Sequence, residues 1–210
     1  MKQNLIISIG RQFGAGGRGV GKLLAKKLGI EYYDKELITL AAQEFGFDSE
    51  LLEKVDEKSS NFSGNLLQWI ESIVPGEFLT KNYLSSDALF EMQSNAIRKL
   101  AEERSCVIVG RCSDYVLRNN PNCISVFLHS TLEDRIQRIC ERSGMSEQDA
   151  RNEIKTEDRR RAAYYNFYSD KLWGESSTYS LCIDVSKIGI EGATDLIINF
   201  LEKRLKTTNT

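Results

Sequence analysis

A chain of 210 residues, 41% hydrophobic and 28% charged, has the length and composition of one globular domain, or of one domain carrying a smaller mobile insert. Its 28 Lys and Arg against 30 Asp and Glu leave a net charge of -2, which argues against a general nucleic-acid coat, so any anion site is a local concentration of positive charge. No stretch reaches the roughly 18 apolar residues of a membrane span, and the apolar run at residues 5–9 is too short for a signal-peptide core, so the expectation is a cytoplasmic protein with small-molecule partners and neither membrane nor nucleic acid among them.

In chain order, residues 5–9 (LIISI) predict a short buried strand. Residues 10–19 hold five glycines: Gly10, Gly14, Gly16, Gly17 and Gly19. Val20, Leu24 and Leu28, with Leu23 beside them, then share one face of a helix that Gly29 ends. Residues 30–33 are a second strand, so the first 34 residues read as one right-handed βαβ unit. Residues 35 to 105 read mainly as helix, with breaks at residues 59–64 and at Pro75-Gly76, and with Ser86-Asp87 capping a helix that runs to Arg104. Further strands are expected at residues 106–109, 123–128 and 181–185. Ser130-Thr131-Leu132-Glu133 supplies a capping box for a helix ending near Gly144. Ser146 starts another helix that extends to about Lys171, and residues 192–205 close the chain as a helix. Strands alternating with helices predict an α/β class with a parallel sheet covered on both faces.

The cysteines, Cys106, Cys112, Cys123, Cys140 and Cys182, are odd in number and lack C-x-x-C spacing, so they indicate neither a disulfide framework nor a zinc site. Several lie in apolar runs and read as small buried hydrophobes. His129, the single histidine, ends the fourth strand beside a helix cap and reads as structural.

The chemistry concentrates in the glycine cluster. A phosphate cradle needs successive backbone N–H groups aimed at phosphate oxygens without side chains in the way, followed by the positive end of a helix. Strand, glycines and helix stand here in that order. The usual motif is G-x-x-x-x-G-K-S/T. A literal match runs from Gly16 to Lys22, with Leu23 in place of the hydroxyl residue, but leaves six extra residues after the strand and a helix of barely two turns. The register from Arg11 to Arg18 follows the strand directly and puts Gly17 at the lysine position. The expected phosphate-binding set is Arg11, Gly14, Ala15, Gly16, Gly17, Arg18, Gly19 and Lys22, with Lys26 on a solvated face.

Arg159-Arg160-Arg161 lies in a predicted helix, and a mobile segment that supplies guanidinium groups on closure fits that run. Three consecutive residues do not share a helix face. Arg160 and then Arg159 are selected, with Arg18, as the groups that meet charge on a transferring phosphoryl. The competing reading is a solvated face balanced by Glu153, Glu157 and Asp158. Tyr164, Tyr165, Phe167, Tyr168 and Trp173 follow at helical spacing and read as core before they read as a base platform. Asp34 and Arg111 end strands, where open parallel sheets bind ligands.

At Gly10-Arg11-Gln12-Phe13-Gly14-Ala15-Gly16-Gly17-Arg18 the sequence resembles the cytidylate kinase-like family, whose loop reads roughly R-Q-F/Y-G-S/A-G-G. The resemblance continues at Tyr33-Asp34-Lys35-Glu36-Leu37-Ile38, Asp56-Glu57-Lys58 and Val107-Ile108-Val109-Gly110-Arg111. It resumes at residues 158–168 and at Leu181-Cys182-Ile183-Asp184 with Gly189 beyond. It implies a three-layer P-loop NTPase fold with a five-stranded parallel sheet, a helical insert and a lid. The core would be residues 1–34, 106–150 and 175–210, the acceptor-binding insert 35–105 and the lid 151–174. The implied reaction moves the γ-phosphoryl of ATP, with Mg²⁺, to CMP, dCMP or a similar monophosphate. Asp34 matches an acceptor-site aspartate, Arg111 the arginine of a G-R-D segment, and the arginines near Asp158 the lid. The chain departs from true cytidylate kinases at Gly17, where they carry lysine, and at Val109 and Cys112, where they carry aspartates; Asp114 is the nearby candidate for a metal. Those departures motivate one alternative, a non-catalytic nucleotide sensor or partner module on the same fold; a second, a kinase for another small metabolite, follows from the insert 35–105 setting acceptor choice.

Overall fold

In the computed structural model, which describes residues 4–34 and 86–208, the apolar runs become the strands of one sheet. The strands are β1 (Ile6–Arg11), β2 (Glu31–Tyr33), β3 (Cys106–Val109), β4 (Cys123–His129) and β5 (Leu181–Asp184). The helices are α1 (Gly17–Leu28), α2 (Ser86–Glu103), α3 (Ser113–Val116), α4 (Leu132–Ser143), α5 (Glu147–Ser169) and α6 (Val185–Thr208), with a 3-10 turn at Ser176–Thr178. The expected helices of the insert up to residue 85, the breaks at residues 59–64 and Pro75-Gly76, and the Asp56-Glu57-Lys58 motif lie outside the described residues. By contacts the chain divides into a unit of Met1–Tyr32 with Glu103–Thr210 and a second of Tyr33–Glu102.

The sheet order is β2-β3-β1-β4-β5. β1 lies at the centre, parallel to β3 with Ile9 opposite Val109 and parallel to β4 with Ile9 opposite Val126. All four residues of β3 and the first four of β1 are buried, as expected of central strands covered on both faces. Val20 and Leu24 of α1 and Ala193, Ile197 and Leu201 of α6 join the strand side chains in one core. Each fully buried Leu or Ile contributes about 1.5–3 kcal/mol of burial. In the second unit, α2 buries Ala96, Ile97, Leu100 and Ala101 and exposes Arg98 and Lys99, a helical pattern.

Several boundaries move. β1 extends two residues beyond residue 9 because Gly10 and Arg11 continue the β4 pairing, opposite Phe127 and Leu128. α1 starts at Gly17, three residues before Val20, although glycine is a poor helix former. Packing overrides propensity there: a Cβ on Gly21 would meet Val109 Cγ2 at 2.9 Å and Tyr32 Cε2 at 3.0 Å. The cap of α4 is Thr131, whose hydroxyl accepts from the Asp134 amide at 3.3 Å, while Ser130 turns its hydroxyl to the Asp134 carboxylate. α3 and the 3-10 turn were not anticipated, and the closing helix begins at Val185 with a non-helical break at Gly189.

Candidate functional site

The end of β1 decides the loop register. Arg11 is its last residue, Gln12 to Gly16 make the turn, and Gly17 is the first residue of α1. The window ending at Lys22 therefore lies inside the helix. Gly14 and Gly16 take φ of 80° and 81°, a conformation that glycine adopts freely. Gly16 caps α1 without any side-chain hydrogen bond, and no acidic residue stands in the first turn. The first-turn amides of a helix have no partner within it, so this end presents N–H groups and a positive dipole to an anion.

The rest of the loop is braced. The Gln12 amide donates to the Leu128 carbonyl at 3.0 Å, and its side-chain oxygen accepts from the Ser130 amide at 3.2 Å. The Phe13 amide donates to Asp158 Oδ1 at 2.7 Å, and the Ala15 amide to the Gln12 carbonyl at 3.3 Å. Guanidinium groups of α4 and α5 hold the loop carbonyls. Arg135 Nη1 donates to Phe13 O at 3.3 Å and to Asp158 Oδ2 at 2.5 Å. Arg138 Nη1 donates to Gly14 O at 3.3 Å, and Arg161 Nη1 to Arg11 O at 3.1 Å. Arg161 and Arg142 also stand 5.3 and 5.6 Å from the centre of the Phe13 ring.

Arg135, Arg138 and Arg142 escaped the sequence reading, although their i, i+3, i+7 spacing beside buried Ile139 marks one helix face. Within the arginine triplet, Arg161 is the member that turns to the loop. Arg159 and Arg160 are exposed, and Arg160 pairs with Glu157 at 2.9 Å. Arg18 is exposed in the first turn of α1, and Ala15 is fully buried. Gly19 sits where its Cβ would meet Ile190 Cδ1 at 2.8 Å, so packing accounts for that glycine. The Lys22 ammonium lies 5.8 Å from the centre of the Tyr32 ring, over β2.

Beyond β3 the backbone makes a left-handed turn through Gly110, Arg111 and Cys112, with φ of 86°, 61° and 51°. That conformation costs a residue with a side chain roughly 1–2 kcal/mol. The turn is tied to β1: the Gly110 amide donates to the Ile9 carbonyl at 3.0 Å, and Ser113 and Ser8 share a buried hydroxyl hydrogen bond of 2.6 Å. Asp114 follows, accepting from the Tyr165 hydroxyl at 2.6 Å. Burial pushes its carboxyl pKa up, and the Tyr165 hydrogen bond opposes that shift. Tyr165 in turn stacks at 6.2 Å on Tyr179, both of them buried, and half-buried Trp173 meets buried Phe127 edge-on at 5.3 Å. Of the run expected as core, Tyr165 is buried, Tyr164 and Tyr168 are half-buried, and Phe167 is exposed. Burial pushes the Cys106 and Cys123 thiols up to about 12, and Cys112 up as well, so they stay protonated at neutral pH. Asp34, which belongs to the second unit, is buried just after β2. Among the described residues no group of three or more His, Cys, Asp or Glu is placed to hold a metal, and no helix is long and apolar enough to cross a membrane.

The profile of the cytidylate kinase-like family matches residues 6–187, which takes in the loop, the Gly110 turn and the α4 and α5 arginines. The chain belongs to the cytidylate kinase-like family. A crystal structure of an uncharacterized protein from Eubacterium ventriosum is 34% identical, covering 95% of this chain and 99% of that one, with a TM-score of 0.70. The fold alone is shared with shikimate kinase from Bacteroides thetaiotaomicron, at 18% identity, coverage of 94% and 98%, and a TM-score of 0.54. It is shared likewise with a gluconokinase from Sinorhizobium meliloti, at 15% identity, coverage of 99% of both chains, and a TM-score of 0.51. No curated protein matches the sequence. This cytidylate kinase-like chain thus has the α/β fold of P-loop kinases, and that fold supports nucleotide-dependent phosphoryl transfer.

Proposed function

We propose that the chain moves the γ-phosphoryl of ATP to a nucleoside monophosphate, with CMP and dCMP the first acceptors to test. The observation that supports this most is the start of α1: a glycine-capped helix end at the tip of the central strand, with no acid in its first turn and with Arg138 and Arg161 bonded to the carbonyls of Gly14 and Arg11 beside it. Such a site favours a polyanion, and phosphoryl transfer asks of a protein mainly positioning and charge stabilisation.

In this reading the backbone of Gly14 to Gly19 cradles the donor phosphates, with Arg11 and Arg18 as cations. Arg111, held in its strained turn, and Asp34 take the acceptor, and residues 35–105 choose it. Arg159 and Arg160 reach a nucleotide from the segment 151–174, whose action as a lid is by side-chain movement, since Asp158, Arg161 and Tyr165 already tie the segment to the loop and to Asp114. Mg²⁺, when bound with the nucleotide, neutralises phosphate charge and takes most of its ligands from phosphate and water. Arg18 stands where the usual motif has its hydroxyl ligand, which leaves Asp114 as the protein carboxylate to consider. The buried, protonated thiols fit a reducing cytoplasm.

A nucleotide sensor without turnover is the second reading, favoured by the glycine at the lysine position. The test is product formation by purified protein with ATP, Mg²⁺ and a panel of CMP, dCMP, UMP, AMP, GMP, shikimate and gluconate. Turnover of a monophosphate that vanishes in Arg111→Ala supports the proposal. Turnover of shikimate or gluconate alone changes the acceptor, and tight ATP binding with no product from any of them favours the sensor.

A further inference from the structure

Gly17 occupies the position at which the usual loop carries its lysine. A Cβ on Gly17 would stand 2.7 Å from Arg11 Cγ and 3.0 Å from Arg11 Cβ, so the stem of Arg11 lies across the first residue of α1. A Cβ on Gly110 would collide with Arg11 Nη1 and stand 3.0 Å from Arg11 Cζ. The guanidinium of Arg11 therefore ends against the left-handed turn that carries Arg111. Two glycines from different elements clear a track for one side chain. Its backbone is fixed as well: Arg11 pairs with Leu128 at the end of the central strand, and Arg161 holds its carbonyl at 3.1 Å.

The geometry points to Arg11 as the cation that replaces the loop lysine, reaching the transferring phosphate from the end of β1 instead of from α1. Gly17 is then not a lost function but the small residue this arrangement requires. The track runs from the phosphate cradle to the Arg111 turn, the interval across which phosphoryl transfer would occur. A guanidinium there stays charged at any working pH and its fork can hold two phosphate oxygens. This assignment rests on the phosphoryl-transfer proposal for its catalytic part, and on nucleotide binding alone for the rest.

The arrangement makes a reciprocal prediction. Gly17→Lys restores the usual motif on paper yet harms the protein, because the new Cβ meets the Arg11 stem. Shortening that stem to its Cβ, in Arg11→Ala/Gly17→Lys, removes the 2.7 Å contact with Cγ and leaves only the 3.0 Å contact with Cβ, so the lysine gains room and the cation moves to its usual place.

The experiment measures binding of ATP, ADP and AMP by calorimetry, together with turnover, in wild type, Arg11→Ala, Arg11→Met, Gly17→Lys and the double variant. Arg11→Met keeps the packed stem without the charge and guards against a folding failure in Arg11→Ala. The expected result is a loss of about 10- to 100-fold in ATP affinity in both Arg11 variants, with little change for AMP. Gly17→Lys is expected to be equally impaired, and the double variant to recover ATP affinity above Arg11→Ala. Wild-type affinity for ATP in Arg11→Met overturns the assignment, as does a double variant no better than Arg11→Ala. A wild-type protein that binds ATP through Arg11 but turns over no acceptor overturns the phosphoryl-transfer proposal and leaves Arg11 as the phosphate cation of a sensor.

Discussion

The Phe13 amide donates to the Asp158 carboxylate at 2.7 Å, joining the loop after β1 to α5 across 145 residues of sequence. The same carboxylate pairs with Arg135, which also bonds the Phe13 carbonyl, so both polar groups flanking Phe13 are held by one ion pair. Both groups are thereby fixed by contacts within the chain itself, and preorganised dipoles need no rearrangement as charge develops.

Asp158→Ala is expected to destabilise the protein by about 3–5 kcal/mol, because it leaves the buried Arg135 charge unpaired. Urea unfolding measures this. Asp158→Asn keeps an acceptor for the Phe13 amide and should lose less.

Gly110→Ala should damage activity more than stability. The φ of 86° costs a side chain about 1–2 kcal/mol, whereas the new methyl displaces Arg11 from its track. Turnover should fall by roughly 10²–10³-fold, the scale of losing one charge-stabilising donor. Steady-state kinetics beside a melting curve separate the two effects.

The arginine triplet should divide by direction. Arg161→Ala removes a bond to the Arg11 carbonyl and a cation over the Phe13 ring, so ATP affinity should fall. Arg160→Ala breaks an exposed pair with Glu157, worth about 0–1 kcal/mol, and should lower ATP affinity less than Arg161→Ala does. Calorimetry on the two variants checks the contrast.

Asp114 should make stability depend on pH. Its raised folded-state pKa means that the native protein binds the proton more tightly than the unfolded chain. The contribution of Asp114 to stability is then fully present below the ordinary carboxylate value of about 4 and is lost as pH rises through the raised pKa. Asp114→Asn keeps an acceptor for the Tyr165 hydroxyl and removes the titration, so the variant should gain on wild type as pH rises toward neutral. Urea midpoints across that range decide it; parallel curves would remove the argument.

The strands were legible because central parallel strands are unbroken apolar runs, and residues 106–109 became β3 without adjustment. The glycine loop was legible because strand, glycines and helix flank it in order. The start of α1 was hidden, since Gly19 and Gly21 are there for Ile190 and for Val109 with Tyr32, contacts that local propensity does not carry. Local sequence does not show what Arg135, Arg138 and Arg161 hold, because their partners on the loop lie more than a hundred residues away. The relation between Arg11 and Gly17 was invisible for a different reason: six positions apart, they meet only because β1 turns straight into α1.

The most direct test of the central claim is a single-turnover reaction with ATP labelled at the γ-phosphate, Mg²⁺ and CMP, run with wild type and Arg111→Ala. Label appearing in CDP with wild type and absent with the variant is the predicted result. ATP bound at the site, with its label never passing to CMP, dCMP or any other monophosphate, would contradict it.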